Sequence, residues 1–312
     1  MKDYKTKLMS KNGHVAMLLA RELISCDVGE RIRTIGEYTD NFETGRGTVQ
    51  AALKFLQDEG AISIDSRGRL GTYIVSLDYE KLWAISGFGV IMGVMPLPYS
   101  KRYEGLATGL YKSFEKANIP FSLAFMRGAG KRIEALDLGK YDFVITSKLA
   151  AHHEMKGFSN IEILYEFGEK SYVGHHKIVF RNNNIEKIKD GMRIGIDPAS
   201  PDQFLLTKYE CEGKKVKYVE VFYNQIIQKL EGNEIDAAIW NEDEIREKSL
   251  KLNIMPLQNP RTIEINKMDT IATLVINSNN KELKNVIDKF INMEYIQEIQ
   301  KKVLNNKMIP AY

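Results

Sequence analysis

Residues 32–75 read IRTIGEYTDNFETGRGTVQAALKFLQDEGAISIDSRGRLGTYIV, and the order of elements in this stretch decides how the chain divides. Thr34 stands just ahead of an apolar residue and Glu37 follows three positions later, the spacing of a capping box. A short helix is therefore expected from Thr34 to Asn41, with Thr44-Gly45 breaking it. From Arg46 to Glu59 the apolar residues Val49, Ala52, Leu53 and Leu56 recur at helical spacing and define one buried face. Arg46, Gly47, Thr48 and Gln50 then lie at the exposed N-terminal end of that second helix. Gly60 follows where a helix-ending glycine belongs. Ile62-Ser63-Ile64 alternates as a strand does, and Arg67-Gly68-Arg69 is the tip between two short strands.

Two helices joined by a turn and followed by a hairpin have the order of a winged helix-turn-helix, whose second helix enters a DNA major groove. Arginine bridges guanine or holds a phosphate and glutamine pairs with adenine, so Arg46, Thr48 and Gln50 are candidate readers, with Gly47 allowing close approach. Arg67 and Arg69 at the wing tip are placed to grip the flanking backbone, and Arg33, Thr34 and Thr72 complete the candidate DNA-binding set. The segment resembles the GntR-type winged-helix family of bacterial regulators. Ile32-Arg33-Thr34 stands for the family's Leu-Pro-Ser, residues 45–53 for its recognition helix, and Gly68-Arg69-Leu70-Gly71-Thr72-Tyr73 for its Gly-x-Gly-Thr-Phe wing, with Leu70 extra. Gly45 replaces the family serine and Gln50 its second arginine, so the resemblance implies DNA binding without implying the family's usual operator. Charge gives no support: residues 1–78 hold eleven Lys/Arg and eleven Asp/Glu, where DNA-binding domains usually carry an excess of basic groups. A plain interaction domain is the competing reading.

At 312 residues the chain is long enough for two domains. Hydrophobic residues make up 44% and charged residues 27%, ordinary for a globular protein, and a net charge of +3 names no partner. No apolar run is long enough to span a bilayer, so no membrane is expected as a partner. The opening MKDYKTKLMSKNGH has no apolar core for a signal peptide. Cys26 and Cys211 read as idle thiols rather than a disulfide, which with the missing leader gives a cytoplasmic expectation. Val15, Leu18, Leu19, Leu23 and Ile24 form the stripe of a helix packing behind the reader pair. Residues 1–13 are polar, either a mobile arm or a segment swapped between protomers. The seam falls at Leu77 to Lys81, giving a reader at 1–78 and a second domain at 79–312.

Beyond Leu82 strands alternate with helices, which implies mostly parallel sheets with helices on both faces. Trp83 to Val94 is expected to open the first sheet. Strands are expected at Phe121–Phe125, Tyr141–Thr146, Ile161–Phe167, Tyr172–Phe180, Met192–Ile196, Val216–Val221, Ile235–Trp240 and Thr270–Ile276. Helices are expected at Tyr103–Asn118, a short one at Arg132–Leu136, one near Ile185–Lys189, at Asp202–Cys211 and Asn224–Glu231, near Asp243–Leu250, and at the C-terminal end. The rhythm restarts near residue 173 and the last strand and helices return to the first series. Two lobes follow, about 79–172 with 268–312, and about 173–267. That double crossover resembles the type-2 periplasmic-binding-protein fold, and the α/β combination with a reader resembles the YhfZ family of regulators.

In open α/β sheets ligands bind beyond the carboxyl ends of the strands. The loops so selected offer Pro98, Tyr99 and Ser100; Arg127 and Gly128; Ser147 and Lys148; Asp197, Ser200 and Asp202; and Asn241 and Glu242. Helix N-termini attract anions, and Arg127 and Lys148 add charge, so a small anionic or zwitterionic ligand is expected, with Asp197, Asp202 and Glu242 taking its cationic end or hydroxyls. The same residue types also build ordinary strand-to-helix turns. No cofactor or metal is expected: His152-His153 and His175-His176 lack a ligand spacing, and no nucleophile elbow or phosphate loop is present. The residues thus point to a non-enzymatic regulator, a homodimer binding a double-stranded operator and a small-molecule effector. A ligand-binding protein with a silent reader is the alternative.

Overall fold

The computed structural model describes residues 8–247, 250 and 252–312. Helix α1 (Lys11–Leu23) is capped by Ser10, whose hydroxyl accepts the Gly13 N–H at 3.1 Å, and its Val15, Leu19 and Leu23 are buried. The end of the polar N-terminal segment is therefore a helix start, and residues 1–7 lie outside the described residues. Helix α2 (Ile35–Asn41) opens with the expected capping box. Thr34 Oγ1 accepts the Glu37 N–H at 3.2 Å, and the Glu37 carboxylate accepts the Thr34 N–H at 2.6 Å. Helix α3 (Arg46–Asp58) buries Val49, Ala52, Leu53 and Leu56, none more than 5% exposed.

Strands β1 (Ile62–Ser66) and β2 (Thr72–Leu77) pair antiparallel around a single 3-10 turn at Gly68–Leu70. The segment before α2 adds to this wing: Gly29 N–H and Ile32 N–H donate to the Ile74 and Thr72 carbonyls, each at 2.9 Å, which sets Arg31 opposite Tyr73. Gly71 is required there. Its φ is +101°, and a Cβ would lie 2.4 Å from Arg31 Nε.

Asp78 caps helix α4 (Tyr79–Ser86), which ends at the left-handed Gly87, and only then does strand β3 (Ile91–Met95) begin. The expected strand from Trp83 is thus half helix, because a continuous apolar run does not distinguish the two and Leu82, Trp83 and Ser86 are buried at helical spacing. The chain continues through α5 (Lys101–Glu115), β4 (Phe121–Phe125), α6 (Ala129–Asp137), β5 (Phe143–Ser147), α7 (Lys148–Glu154), β6 (Ile161–Glu166), β7 (His176–Phe180) and β8 (Arg193–Ile196). Next come α8 (Pro201–Glu210), β9 (Lys217–Glu220), α9 (Ile226–Glu231), β10 (Ala237–Asn241), α10 (Glu242–Glu247) and β11 (Asn253–Met255). It ends with α11 (Pro260–Asp269), β12 (Ala272–Asn277), α12 (Lys281–Phe290) and α13 (Met293–Leu304). No helix forms at 185–189, and α11 was not expected. Lys248 and Ser249, in the expected helix tail, lie outside the described residues.

Two compact units emerge. The first holds the reader, α4, residues 113–121 and 280–291. Within it Arg21 pairs with Glu282 at 3.1 Å, Lys289 with Asp27, and the Tyr79 and Phe290 rings meet edge-on at 5.2 Å. The second holds two five-stranded sheets, ordered β4-β3-β5-β12-β6 and β11-β7-β10-β8-β9. Both are mixed rather than mostly parallel. β12 runs antiparallel to β5 and β6, and β7 antiparallel to β10 and β11, while β3–β5, β8–β9 and β8–β10 are parallel. In each sheet the strand between antiparallel neighbours is the one arriving from the other lobe, so a chain crossing over enters in the opposite sense. The two crossings run side by side: Tyr172 N–H donates to Thr270 O and Phe167 N–H to Ala272 O, both at 2.8 Å. Alternate residues of β7 fill opposite faces, Ile178 and Phe180 with Leu206 on one side, Val179 with Ile226 and Trp240 on the other. Helix α5 is buried along most of its length.

Candidate functional site

Two sites come from the two units. In the reader, Val49 faces inward, and Arg46, Gly47 and Gln50 are left exposed with Thr48 half-buried. Gly45 caps α3 without any side-chain bond, so its first turn stays open to an anion. A groove of about 260 Å³ brings Arg33, Thr34 and Thr72 together with Leu53, Gln57 and Ser66. Thr34 is engaged as the α2 cap, and Arg33 lies 3.4 Å from Glu22. Arg67 bonds Asp65 at 2.9 Å and lies over the Tyr73 ring at 4.6 Å, while Arg69 at the tip is exposed. Arg31, bridged to Tyr73 beside the wing, is an exposed cation that the sequence did not single out. The signal for it was the extended Gly29–Ile32 segment.

The second site is a cavity of about 150 Å³ between the lobes. Four tyrosines line it, Tyr99, Tyr103, Tyr172 and Tyr223, with Tyr103 edge-on to Tyr172 at 5.1 Å and to Tyr99 at 5.5 Å. Arg132, 3% exposed, reaches it from the first turn of α6. Its Nη1 donates to Met126 O at 2.8 Å, and its Nη2 to Thr146 Oγ1 at 3.3 Å and the Tyr172 hydroxyl at 3.5 Å. His176 lines the same wall. Its Nδ1 lies 2.9 Å from Asp269 Oδ2 and its Nε2 lies 3.4 Å from the Tyr223 hydroxyl. Asp202 accepts the Ser147 hydroxyl at 2.7 Å.

Burial lowers the pKa of His176, but the neighbouring Asp269 carboxylate outweighs it and holds the ring above its usual value. Burial and the charge of Asp269 push Asp202 up to about 7. Burial raises all four tyrosines, so their hydroxyls keep their protons and stand as donors. The lobes are tied across the cleft by Arg127 Nη2, 2.9 Å from both Asp197 oxygens, and by Arg102, whose Nε and Nη2 meet Asp243 at 2.8 and 3.1 Å. Asp197 also accepts the Ala199 and Tyr223 N–H groups, so its carboxylate is fully engaged by protein.

Of the residues picked from the loops, Tyr99, Arg127, Gly128, Asp197, Ser200 and Asp202 line the cavity. Pro98, Ser100, Ser147, Lys148, Asn241 and Glu242 do not. Ser100 receives the Tyr103 N–H, Ser147 caps α7, Lys148 bonds Glu166 at 2.8 Å, Asn241 receives the Asp243 N–H, and Glu242 pairs with Lys177 and Arg246. Sequence reasoning missed Tyr103, Arg132, Tyr172 and Tyr223, and it set His176 aside with the metal reading. Among the described residues no three His, Cys, Asp or Glu side chains converge as metal ligands, and no helix is long and apolar enough to cross a membrane. Cys26 and Cys211 are free thiols.

Residues 78–312 match the family described as the YhfZ C-terminal domain, and residues 27–74 match helix-turn-helix domains. Over 310 residues the chain is 34% identical to YhfZ of Escherichia coli (strain K12), covering 97% of this chain and 98% of that one. The crystal structure of YhfZ from Shigella flexneri is similar with a TM-score of 0.59 at 30% identity, over 75% of this chain and 97% of that chain. The periplasmic aliphatic sulphonate binding protein SsuA from Escherichia coli is similar in fold, with a TM-score of 0.53 at 12% identity over 70% of this chain and 74% of that one. A helix-turn-helix domain thus precedes a two-lobed α/β domain similar in fold to periplasmic binding proteins.

Proposed function

The chain belongs to the YhfZ family, and from that membership we propose a transcriptional regulator that binds double-stranded operator DNA as a homodimer and takes its effector between the two C-terminal lobes. The reader, residues 1–78, resembles GntR-type domains; the effector domain is 79–312. Arg46, Thr48 and Gln50 read base edges while Arg69, Arg67 and Arg31 hold phosphates. The effector is small and anionic or zwitterionic, and the protein works in the cytoplasm without catalysing a reaction. One observation carries this reading: a single chain joins an exposed helix end without a side-chain cap to an interlobe cavity lined by buried polar groups. Effector binding biases open against closed lobes by no more than its differential affinity for the two.

The test is retention of the source organism's genomic fragments by wild type and by Arg46→Ala at near-physiological salt. Discrete sites held by the wild type and lost in the variant support the reading. Equal retention by both removes Arg46 as a reader. A second reading, a ligand-binding protein with a silent reader, draws on the balanced charge of residues 1–78 and on the pairing of Arg33 and Arg67 with acids. Retention of nothing, with or without added small molecules, would move the weight there.

A further inference from the structure

The cavity between the lobes has a composition more selective than its position requires. Arg132 is 3% exposed, and among the described residues its hydrogen bonds run only to neutral oxygens while its Nε has no partner. A buried guanidinium without an acid bonded to it is costly, and the Asp202 carboxylate near it, itself raised by burial to about 7, answers that charge only in part. Two helices begin at the same wall, α6 at Ala129 and α8 at Pro201; neither is closed by a side-chain cap, and α8 carries Asp202 in its first turn. Their N-terminal dipoles add to the attraction for one negative group. Apart from Arg127, His176, Asp197, Ser200, Asp202 and Asn224, the rest of the wall is tyrosine rings, glycine and apolar side chains.

Resting on the effector reading above, we propose that this cavity takes a compact monocarboxylate with a flat apolar body, and rejects amino-acid zwitterions. Size sets the first limit. A cavity of about 150 Å³ is what holds a single benzene in an engineered protein core. Charge sets the second. A ligand ammonium needs a free carboxylate, but Asp197 is closed by Arg127 and two backbone N–H groups, and Asp202, which receives Ser147, already has the His176 and Arg132 cations acting on it. A second ligand carboxylate would find the other cations of the wall already ion-paired, Arg127 with Asp197 and His176 with Asp269. With its pKa raised to about 7, Asp202 carries only part of its charge at neutral pH, so an incoming carboxylate meets Arg132 and the tyrosine hydroxyls against a reduced opposing charge, and its affinity falls as Asp202 ionises further.

The test uses the full-length wild-type protein and three probes: sodium benzoate, its neutral isostere benzamide, and the compact zwitterion proline. Titration calorimetry and thermal melting are expected to rank benzoate at least tenfold above the other two, with a rise of several degrees in Tm at saturation. Arg132→Gln is expected to weaken benzoate roughly a hundredfold, since truncating one partner of a buried charge pair has effects of that size. If that variant does not fold, the wild-type ranking alone decides. Proline or benzamide binding as well as benzoate overturns the ligand class while keeping the cleft as an effector site. Silence of all three up to about 10 mM, where a site of Kd about 1 mM is mostly filled, overturns the ligand class as well. The regulator reading is judged separately by genomic-fragment retention, which needs none of these probes.

Discussion

Arg46 and Gln50 stand exposed at the start of α3 with an open helix end behind them, whereas Arg132, His176 and Asp202 are almost completely buried and held in hydrogen-bonded positions before any ligand arrives. The reader presents side chains whose cost of exposure is nil, and on the proposed function their energy is realised only against DNA. The cavity presents side chains whose burial is already a cost to the fold, offset by neighbours such as Asp269. Mutations should therefore divide cleanly. Cavity residues change stability and ligand binding together, and reader residues change DNA binding alone.

The largest expected effect is at His176. Replacing it with glutamine leaves Asp269, 0% exposed, without the cation beside it. Breaking one side of a buried pair costs about 3–5 kcal/mol, so chemical denaturation should show a loss of that order, with intrinsic affinity of the folded reader unaltered. The raised pKa of His176 fixes the pH window. Its stabilisation is complete below the unfolded value of 6.5 and fades as pH rises through the higher folded value. A loss below about 1 kcal/mol at pH 6 would mean the pair contributes as a surface pair does.

Asp202→Asn comes next and has the opposite sign. The wild-type carboxyl is raised from 3.8 to about 7, so the folded state binds a proton that the unfolded state has released, and stability falls with pH across that interval. The asparagine variant keeps an oxygen for Ser147 and lacks the titration. Its stability relative to wild type should therefore grow as pH rises across the same interval, by roughly 1.4 kcal/mol for each pH unit and on the order of a few kcal/mol in all. Parallel pH profiles for the two proteins would show that Asp202 stays ionised throughout.

These buried groups were the part least legible in the sequence, while the reader was read almost whole. The capping box at Thr34 and Glu37, the four buried residues of α3 and the wing are local patterns, complete within a few residues of each other. The cavity is not local. Tyr103, Tyr172 and Tyr223 meet only because two crossings between lobes bring distant segments together, and Arg132 looks in the sequence like any charged residue on a short amphipathic helix. The strand-end rule found loops at the cleft, but within those loops it could not separate Asp202, which lines the cavity, from Ser100, which receives a backbone N–H. Helix α11 escaped because Thr262 and Asp269 are its only buried residues, so it carries no apolar stripe, although Asn259 and Pro260 marked its start.

On the reader side, Arg46→Ala is expected to lower affinity for a retained genomic site by about 1–3 kcal/mol per half-site and to relax discrimination at one base position. Because the side chain is exposed, the melting temperature should stay within the small range typical of surface changes. Titration of a labelled site by fluorescence anisotropy measures the first and calorimetry the second. A variant that bound DNA normally would leave Gln50 and Thr48 as the readers, and one that melted early would mean that Arg46 has a structural partner.

The smallest effect is expected at the wing tip, and it sharpens the contrast between two neighbouring arginines. Arg69 is exposed on the 3-10 turn, while Arg67 is held by Asp65 and stacked over Tyr73. If Arg69 neutralises a phosphate, Arg69→Gln should reduce the slope of log affinity against log salt by about 0.9 for each wing on the DNA, roughly two for a dimer, with only a modest change in affinity at a single salt concentration. Arg67→Gln should change the slope less, because its charge is already partly answered by Asp65 within the wing. Its surface pair is worth no more than about 1 kcal/mol to stability. A salt series on wild type and the two variants decides the matter: equal slopes for all three would take the wing off the DNA backbone and leave the contact to α3.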